Sequence, residues 1–369
     1  MARVVLAMSG GVDSSVAAHL LLDAGHEVVG VFMRHGSEPA ACDAGDSPGG
    51  GLPVLGDGTR ADHKQGCCTA SDAADARRVA GAMGIPFYAL DLQSDFSRIM
   101  DYFADDYLAG RTPNPCLRCN QWIKFGRLFD YADGVDAEFV ATGHYARMDG
   151  TNLLRGVDTN KDQSYALFGI ERHRLSRMLL PVGGHTKPAI RDIAASLDLG
   201  VASKKDSQEI CFVTTGHHRD FVRGRRRDRS ATGGQFVMTD GSVVGEHDGY
   251  ESFTVGQRKG LGIAVGRPVF VVRIEPDTRR VVLGDRDETL GQTLTADEPN
   301  WLVEPDDVPV GRPVSCQIRY NSPPRPAVVT RSDAVGFDVR FDAPESAIAP
   351  GQAAVIYDGD RVLGGGWIK

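Results

Sequence analysis

A chain of 369 residues is long enough for two or three domains with cores of their own, which excludes a miniprotein held together by disulfides. With 41% hydrophobic and 24% charged residues it has the make-up of a folded globular protein, and no apolar run approaches the ~20 residues that span a bilayer. The net charge of −8 excludes a protein that coats nucleic acid by bulk attraction, while leaving room for a local basic patch. Seven cysteines, an odd number with Cys67 beside Cys68 and Cys116 near Cys119, read as a reducing cytoplasm rather than an extracellular disulfide framework.

The N-terminus, MARVVLAMSGG, has no secretory signal pattern and reads as a first buried strand. Val4, Val5 and Leu6 predict that strand, SGGVDSS a glycine turn, Val16, Leu20, Leu21 and Ala24 a helix, and VVGVFM a second strand. The rhythm returns in DAADARRVAGAMG before PFYALDL, and in DFSRIMDYFADDYLAG leading on to EFVATGHY. Strands alternating with amphipathic helices predict a parallel sheet covered on both faces. The stretch at about 36–66 is rich in Gly, Asp and Pro and predicts a mobile surface insertion, with Cys42 inside it. Cys67 and Cys68 precede a helix expected from Ser71 and read as structural, as does Cys316 in a later strand.

Residues 112–120, TPNPCLRCN, predict a short rigid loop that presents two thiols, because two prolines constrain it. Beyond about residue 218 the composition changes. RDFVRGRRRDR sets six arginines against two aspartates, the best unaided sign of a nucleic-acid-facing patch, and short alternating strands that read as antiparallel β follow. The expected domains are 1–218, 219–288 and 289–369.

Ser9-Gly10-Gly11-Val12-Asp13-Ser14-Ser15 lies between a strand and a helix, where turn N–H groups and the positive helix end converge on one point. That is a phosphate cradle. It lacks the lysine of a Walker loop and the glycine spacing of a dinucleotide fingerprint. The string resembles the PP-loop of the N-type ATP pyrophosphatases, which implies cleavage of ATP between its α and β phosphates. The resemblance places Ala7, Met8, Ser9, Gly10, Gly11, Val12, Asp13 and Ser14 against ATP, with Asp13 helping to hold Mg²⁺ on the phosphates.

A second thiol motif, DSQEICF, ends near Cys211. Together with GVFM, GCCTASDAADA, ATGHY, TNKDQSYAL, TVGQRKGLGI and QIRYNSPP, these strings closely resemble the tRNA-specific 2-thiouridylase family from residue 5 to the end of the chain. The resemblance implies an α/β fold: a parallel-sheet PP-loop catalytic domain followed by two smaller β-rich domains, the last a tRNA-contacting β-barrel. It implies adenylation of the wobble uridine by ATP and insertion of sulfur at C2, releasing AMP and pyrophosphate. Met33 and Gly143 fall at adenosine-contacting positions, and Asn114, Pro115, Cys116, His144, Lys161, Asp162, Gln163, Arg319, Tyr320 and Gln352 at tRNA-contacting ones. The implied partners are tRNA and a persulfide donor or sulfur-relay protein, with no membrane.

Within this family Cys211 carries the persulfide and Cys119 assists sulfur release, ending in a disulfide with Cys211. At Cys116 the chain departs from the commonest motif, where many members carry Asp. The departure opens a second route, a [4Fe–4S] cluster on Cys116, Cys119 and Cys211 whose free iron carries hydrosulfide. A reading from another class, a PP-loop amide or C–N ligase, requires no redox thiols, and the paired cysteine motifs discriminate against it. A non-catalytic RNA-binding β module is disfavoured by the intact Gly pair, Asp and serines of the loop.

Overall fold

A computed structural model of the chain describes residues 1–34, 70–202, 204, 210–213, 217–225 and 232–369. The insertion at 36–66, Cys67, Cys68 and Arg226, Arg227 and Arg229 lie outside the described residues.

The first strand, β1 (Arg3–Ala7), is followed by α1 (Val12–Asp23), β2 (Glu27–Arg34), α2 (Ala70–Ala82), β3 (Phe87–Asp91) and α3 (Gln93–Leu108). Next come α4 (Pro115–Cys119), α5 (Phe125–Gly134), β4 (Phe139–Ala141), the hairpin β5 (Ala146–Asp149) and β6 (Asn152–Arg155), β7 (Met178–Leu179), α6 (Lys187–Ser196) and α7 (His218–Arg225). A five-stranded parallel sheet runs in the order β3-β2-β1-β4-β7. Period-2 alternation in β1 sorts its side chains between two cores. Val4 and Leu6 pack with α1, α2 and α6 residues such as Val16, Val79 and Ile190, whereas Val5 packs with Leu128 and Phe129 of α5. The expected parallel sheet, covered on both faces, is therefore present.

Residues 115–119 are helix, not the loop that the two prolines suggested. Pro115 occupies the first helical turn, where no N–H is needed, and the Asn114 side chain caps it by accepting from the Leu117 amide at 3.3 Å. A π-type turn, Asn120–Lys124, joins α4 to α5.

A smaller sheet holds β8 (Gly234–Met238), β9 (Val243–His247), β10 (Phe270–Glu275) and β11 (Arg280–Gly284) in the order β10-β11-β8-β9. Its β11–β8 pairing is parallel, a departure from the all-antiparallel reading. The last unit contains β12 (Leu290–Trp301), β13 (Pro313–Gln317), β14 (Arg325–Ser332), β15 (Gly336–Ser346), β16 (Ala353–Asp358) and β17 (Arg361–Ile368). The long β12 pairs with β15 through one half and with β17 through the other, which closes a six-stranded antiparallel barrel. The β5–β6 hairpin adds to this barrel's sheet through Leu154 and Arg361, so the parallel-sheet unit and the barrel are joined through one sheet. They share a core as well: Val5, Leu128 and Phe168 belong to one apolar cluster with Val355, Tyr357 and Trp367.

Candidate active site

Strand β1 lies between β2 and β4, so the chain leaves it toward opposite sides and opens a crevice at the carboxyl ends of β1 and β4. Both ends carry a glycine that close packing requires. Gly10 has φ +72°, and a Cβ there would lie 2.1 Å from the Asp72 carbonyl oxygen. A Cβ on Gly143, just past β4, would lie 2.8 Å from the Ser14 nitrogen. The β4 turn thus rests on the first turn of α1. Within the loop, Ser14 Oγ accepts from the Ser9 amide at 3.2 Å and donates to the Gly11 carbonyl at 3.2 Å, while Ser15 Oγ donates to the same carbonyl at 2.8 Å. Met8 is fully buried behind the loop, and Ala7 packs on the opposite face of the sheet, against the cluster that holds Val5 and Leu128.

Asp13 is gripped by two groups that local sequence patterns did not reveal. Lys187 Nζ lies 2.8 and 2.9 Å from its two carboxylate oxygens, and the Tyr145 hydroxyl donates to it at 2.7 Å. Lys187 is buried at the start of α6, whose cap is Thr186. A second lysine, Lys204, donates to the Gly10 carbonyl at 3.0 Å and to Asp72 and Asp75 at 2.6 and 2.7 Å. Burial opposes the charge on Lys204, but the two carboxylates prevail and raise its pKa above the ordinary value. The loop that lacks a Walker lysine therefore has two ammonium groups brought to it from distant segments.

The three candidate thiols line one cleft. Cys116 and Cys119 are three residues apart on α4, which places them on one face of the helix. Cys211 follows Ile210, anchored by Phe212, whose ring packs edge-on to Phe96 and Phe103 at 5.6 and 5.1 Å. Met33, at the end of β2, lines the same cleft, as do Pro115 and Lys124, and Phe96, Ile99 and Ile123 form its apolar wall. Cys116 is exposed and Cys119 and Cys211 are half-buried, all outside any disulfide. Although the thiols share the cleft, among the described residues no three His, Cys, Asp or Glu side chains are gathered as a group that could hold a metal ion.

Around the mouth of the cleft the residues expected to touch RNA fall into two kinds. Tyr320 stands exposed with Gln163, Lys161, Asp162 and Cys116 as its electrostatic neighbours. Asn114 and Gln352 meet across the domain junction at 3.3 Å, and Gln352 also donates to the Thr112 carbonyl at 3.0 Å. Asp162 is internal scaffolding, accepting from Arg155 at 2.8 Å and from the amides of Gly156 and Ser164. Arg319 donates to the Ser346 carbonyl at 2.6 Å. Burial, reinforced by the Lys124 charge, pushes the His144 imidazole down to about 3, and its Nδ1 lies 2.6 Å from Thr142 Oγ1. His144 is thus a neutral hydrogen-bonding group and brings no charge to a phosphate.

The sequence also gave no sign of Arg118. Its guanidinium lies 3.8 Å from the Trp367 ring centroid and donates to both Glu298 carboxylate oxygens at 2.8 and 3.2 Å. The residue between the two thiols on α4 is thereby fastened to the barrel. In the arginine-rich segment, the described side chains are already engaged: Arg223 bonds Glu251, Arg225 bonds Asp101 and Arg219 lies 3.5 Å from Asp220. That part of the segment is structural ion pairing rather than an open basic patch.

A parallel sheet with a glycine loop at its switch point, beside a cleft that gathers three thiols, has the architecture of a PP-loop nucleotide-binding protein. Residues 2–215 match the family model described as tRNA methyl transferase HUP domain, 219–285 the tRNA methyl transferase PRC-barrel domain, and 291–368 the aminomethyltransferase beta-barrel domain. The tRNA-specific 2-thiouridylase MnmA of Rhodopirellula baltica is 66% identical over 100% of this chain and 96% of that protein. The protein of the same name from Carboxydothermus hydrogenoformans is 44% identical over 100% of this chain and 97% of its own length. The chain belongs to the tRNA-specific 2-thiouridylase family. Among solved structures, a 4-thiouridine synthetase–RNA complex with bound ATP aligns with TM-score 0.35 and 17% identity over 58% of this chain and 45% of that one, too distant to bear on the site.

Proposed function

We propose that the protein is a cytoplasmic tRNA-uridine 2-sulfurtransferase that activates the wobble uridine with Mg-ATP and replaces its C2 oxygen with sulfur. The observation that carries this reading is the placement of Cys116, Cys119, Cys211 and Met33 in one cleft at the carboxyl end of the sheet whose β1 turn is the phosphate loop. In this reading residues 1–218 perform the catalysis, 219–288 form a central domain and 289–369 present the barrel to tRNA.

Uracil O2 is a poor leaving group. Its attack on the α-phosphorus of ATP expels pyrophosphate and leaves a base–AMP adduct. The turn amides and serine hydroxyls, with Lys187 and Lys204 beside them, supply fixed positive charge for the departing pyrophosphate. Opening the Asp13–Lys187 pair would free the ammonium for the phosphates and the carboxylate for their Mg²⁺. Met33 and Gly143 border the adenosine.

The terminal sulfur of a Cys211 persulfide then attacks C2 and AMP leaves, giving a C2–S–S–Cys211 linkage. The Cys119 thiolate attacks the Cys211 sulfur, the original S–S bond breaks, and 2-thiouridine departs as a Cys119–Cys211 disulfide forms. A thiol reductant resets the pair, and a persulfide donor reloads Cys211. Asn114, Pro115 and Cys116 flank the base on the α4 side, while His144, Lys161, Gln163, Tyr320 and Gln352 receive the surrounding RNA, with Asp162 and Arg319 holding that surface in place. Tyr320 offers an exposed ring for base stacking.

Product analysis tests the activation step. With tRNA and Mg-ATP the protein is expected to release AMP and pyrophosphate. Release of ADP and phosphate instead would exclude PP-loop adenylation.

A further inference from the structure

The string TVGQRKGLGI lies in the central domain, and nothing in the reaction above uses it. Its second half and the residues that follow, 258–267, form an open loop around a shallow cavity lined by Arg258, Gly260, Gly262, Arg267 and Pro268 together with apolar neighbours. Gly260, Gly262 and Gly266 have φ of +76°, +75° and +75°, so the backbone repeatedly turns in a sense that ordinary residues resist. Among the described residues, no N–H group of residues 258–267 has a protein acceptor. A run of unpaired amides in a glycine-rich turn is a place for anions. Arg267 is paired with Asp285, whereas Arg258 and Lys259 are exposed and have no acidic partner among the described residues.

The base of the loop is fixed, and its location relates it to the RNA-facing side. Gln257 braces it, accepting from the Thr254 amide at 3.0 Å and donating to the Lys259 carbonyl at 3.0 Å. Gly256 abuts Ala347 of the barrel closely, since a Cβ on it would lie 2.5 Å from the Ala347 Cβ. The adjoining Ser346 carbonyl holds Arg319, whose neighbour Tyr320 borders Cys116. Gly256, Ala347, Ser346 and Arg319 thus tie the base of the loop to the side of the barrel that carries Tyr320.

We propose that residues 258–267 form a clamp for the tRNA sugar–phosphate backbone, binding RNA at a distance from the reacting base. The inference rests on the 2-thiouridylase reading and assigns that reading an additional RNA-binding site. A chain of net charge −8 whose described arginines at 219–225 are ion-paired needs uncompensated cations elsewhere to approach a polyanion, and this loop offers two beside unpaired amides.

The test compares the full-length wild type with the double variant Arg258→Gln, Lys259→Gln, both at exposed positions. Affinity for unmodified full-length tRNA is measured across a severalfold range of salt, together with single-turnover thiolation at saturating tRNA. The variant is expected to bind roughly tenfold more weakly at low salt, with the slope of log K against log salt shallower by about two, and an unchanged maximal rate. Wild-type affinity and slope in the variant would overturn the clamp. So would displacement of wild-type loop resonances by inorganic pyrophosphate with no change in tRNA affinity on substitution, which would identify a free-anion site. If the wild type binds and thiolates tRNA while the variant is indistinguishable from it, the clamp alone fails; if the wild type does neither, the functional reading fails with it.

Discussion

His144 shows how burial decides what a residue can contribute. The unfolded chain protonates this imidazole near its ordinary 6.5 and the folded chain only near 3, so between those values folding excludes a proton. Its contribution to stability is complete above the higher value and declines as pH falls toward the lower. The stability advantage of wild type over His144→Asn should therefore shrink between about pH 7.5 and about pH 5.5 in urea titrations. An advantage that stays constant would show that His144 titrates normally. The cysteines divide by role. Cys119→Ser and Cys211→Ser should abolish sulfur transfer but keep tRNA-dependent pyrophosphate release, whereas Cys116→Asp should thiolate in air. Nucleoside analysis and iron content read the outcome: activity that requires iron and is lost equally in all three variants would contradict the persulfide route. The thiols were legible because motifs carry them. Lys187 and Lys204 were not, because a lone lysine in a polar stretch looks solvated until the fold brings it within 3 Å of Asp13 or the Gly10 carbonyl.

At the scale of elements, the β1–α1–β2 unit was legible because one residue in two faces each core of the sheet and the glycines sit where the chain must turn. Helix α4 was not, because two prolines look like a loop until one of them is seen at a capped first turn. The parallel β8–β11 pairing was hidden for another reason: alternation within a strand says which face is buried, not which distant strand lies beside it. Two predictions belong here. Gly143→Ala places a methyl 2.8 Å from the Ser14 nitrogen and should raise the KM for ATP about tenfold or more by moving the first turn of α1, in line with the cost of small misplacements at a reacting centre. An unchanged KM would mean that β4 and α1 do not set the cradle. Arg118→Met removes the α4 clamp at a buried position whose partner Glu298 is exposed, and should cost about 2 kcal/mol in urea unfolding, between the values for surface and buried pairs. It should also lower the sulfur-transfer rate more than the pyrophosphate-release rate, since the thiols sit on α4; equal losses in the two would separate the clamp from the cleft.

Over the whole molecule, the catalytic unit and the barrel are joined by a shared sheet at Leu154–Arg361, a shared apolar core and the Arg118–Trp367 contact. That junction places Tyr320 beside the Cys116 end of the cleft. The sequence showed that an α/β region precedes a β-rich one, because hydrophobic period and turn chemistry change along the chain. It did not show that the hairpin at 146–155 belongs to the barrel's sheet, since short strands reveal no partner. The central claim is a change of one atom in one base. Unmodified tRNA should be incubated with the protein, Mg-ATP and a persulfide donor, then digested and analysed by mass spectrometry with the wobble position resolved. The account predicts 2-thiouridine at that position, dependent on ATP and absent with Cys211→Ser; sulfur elsewhere in the tRNA, or none while ATP is consumed, would contradict it.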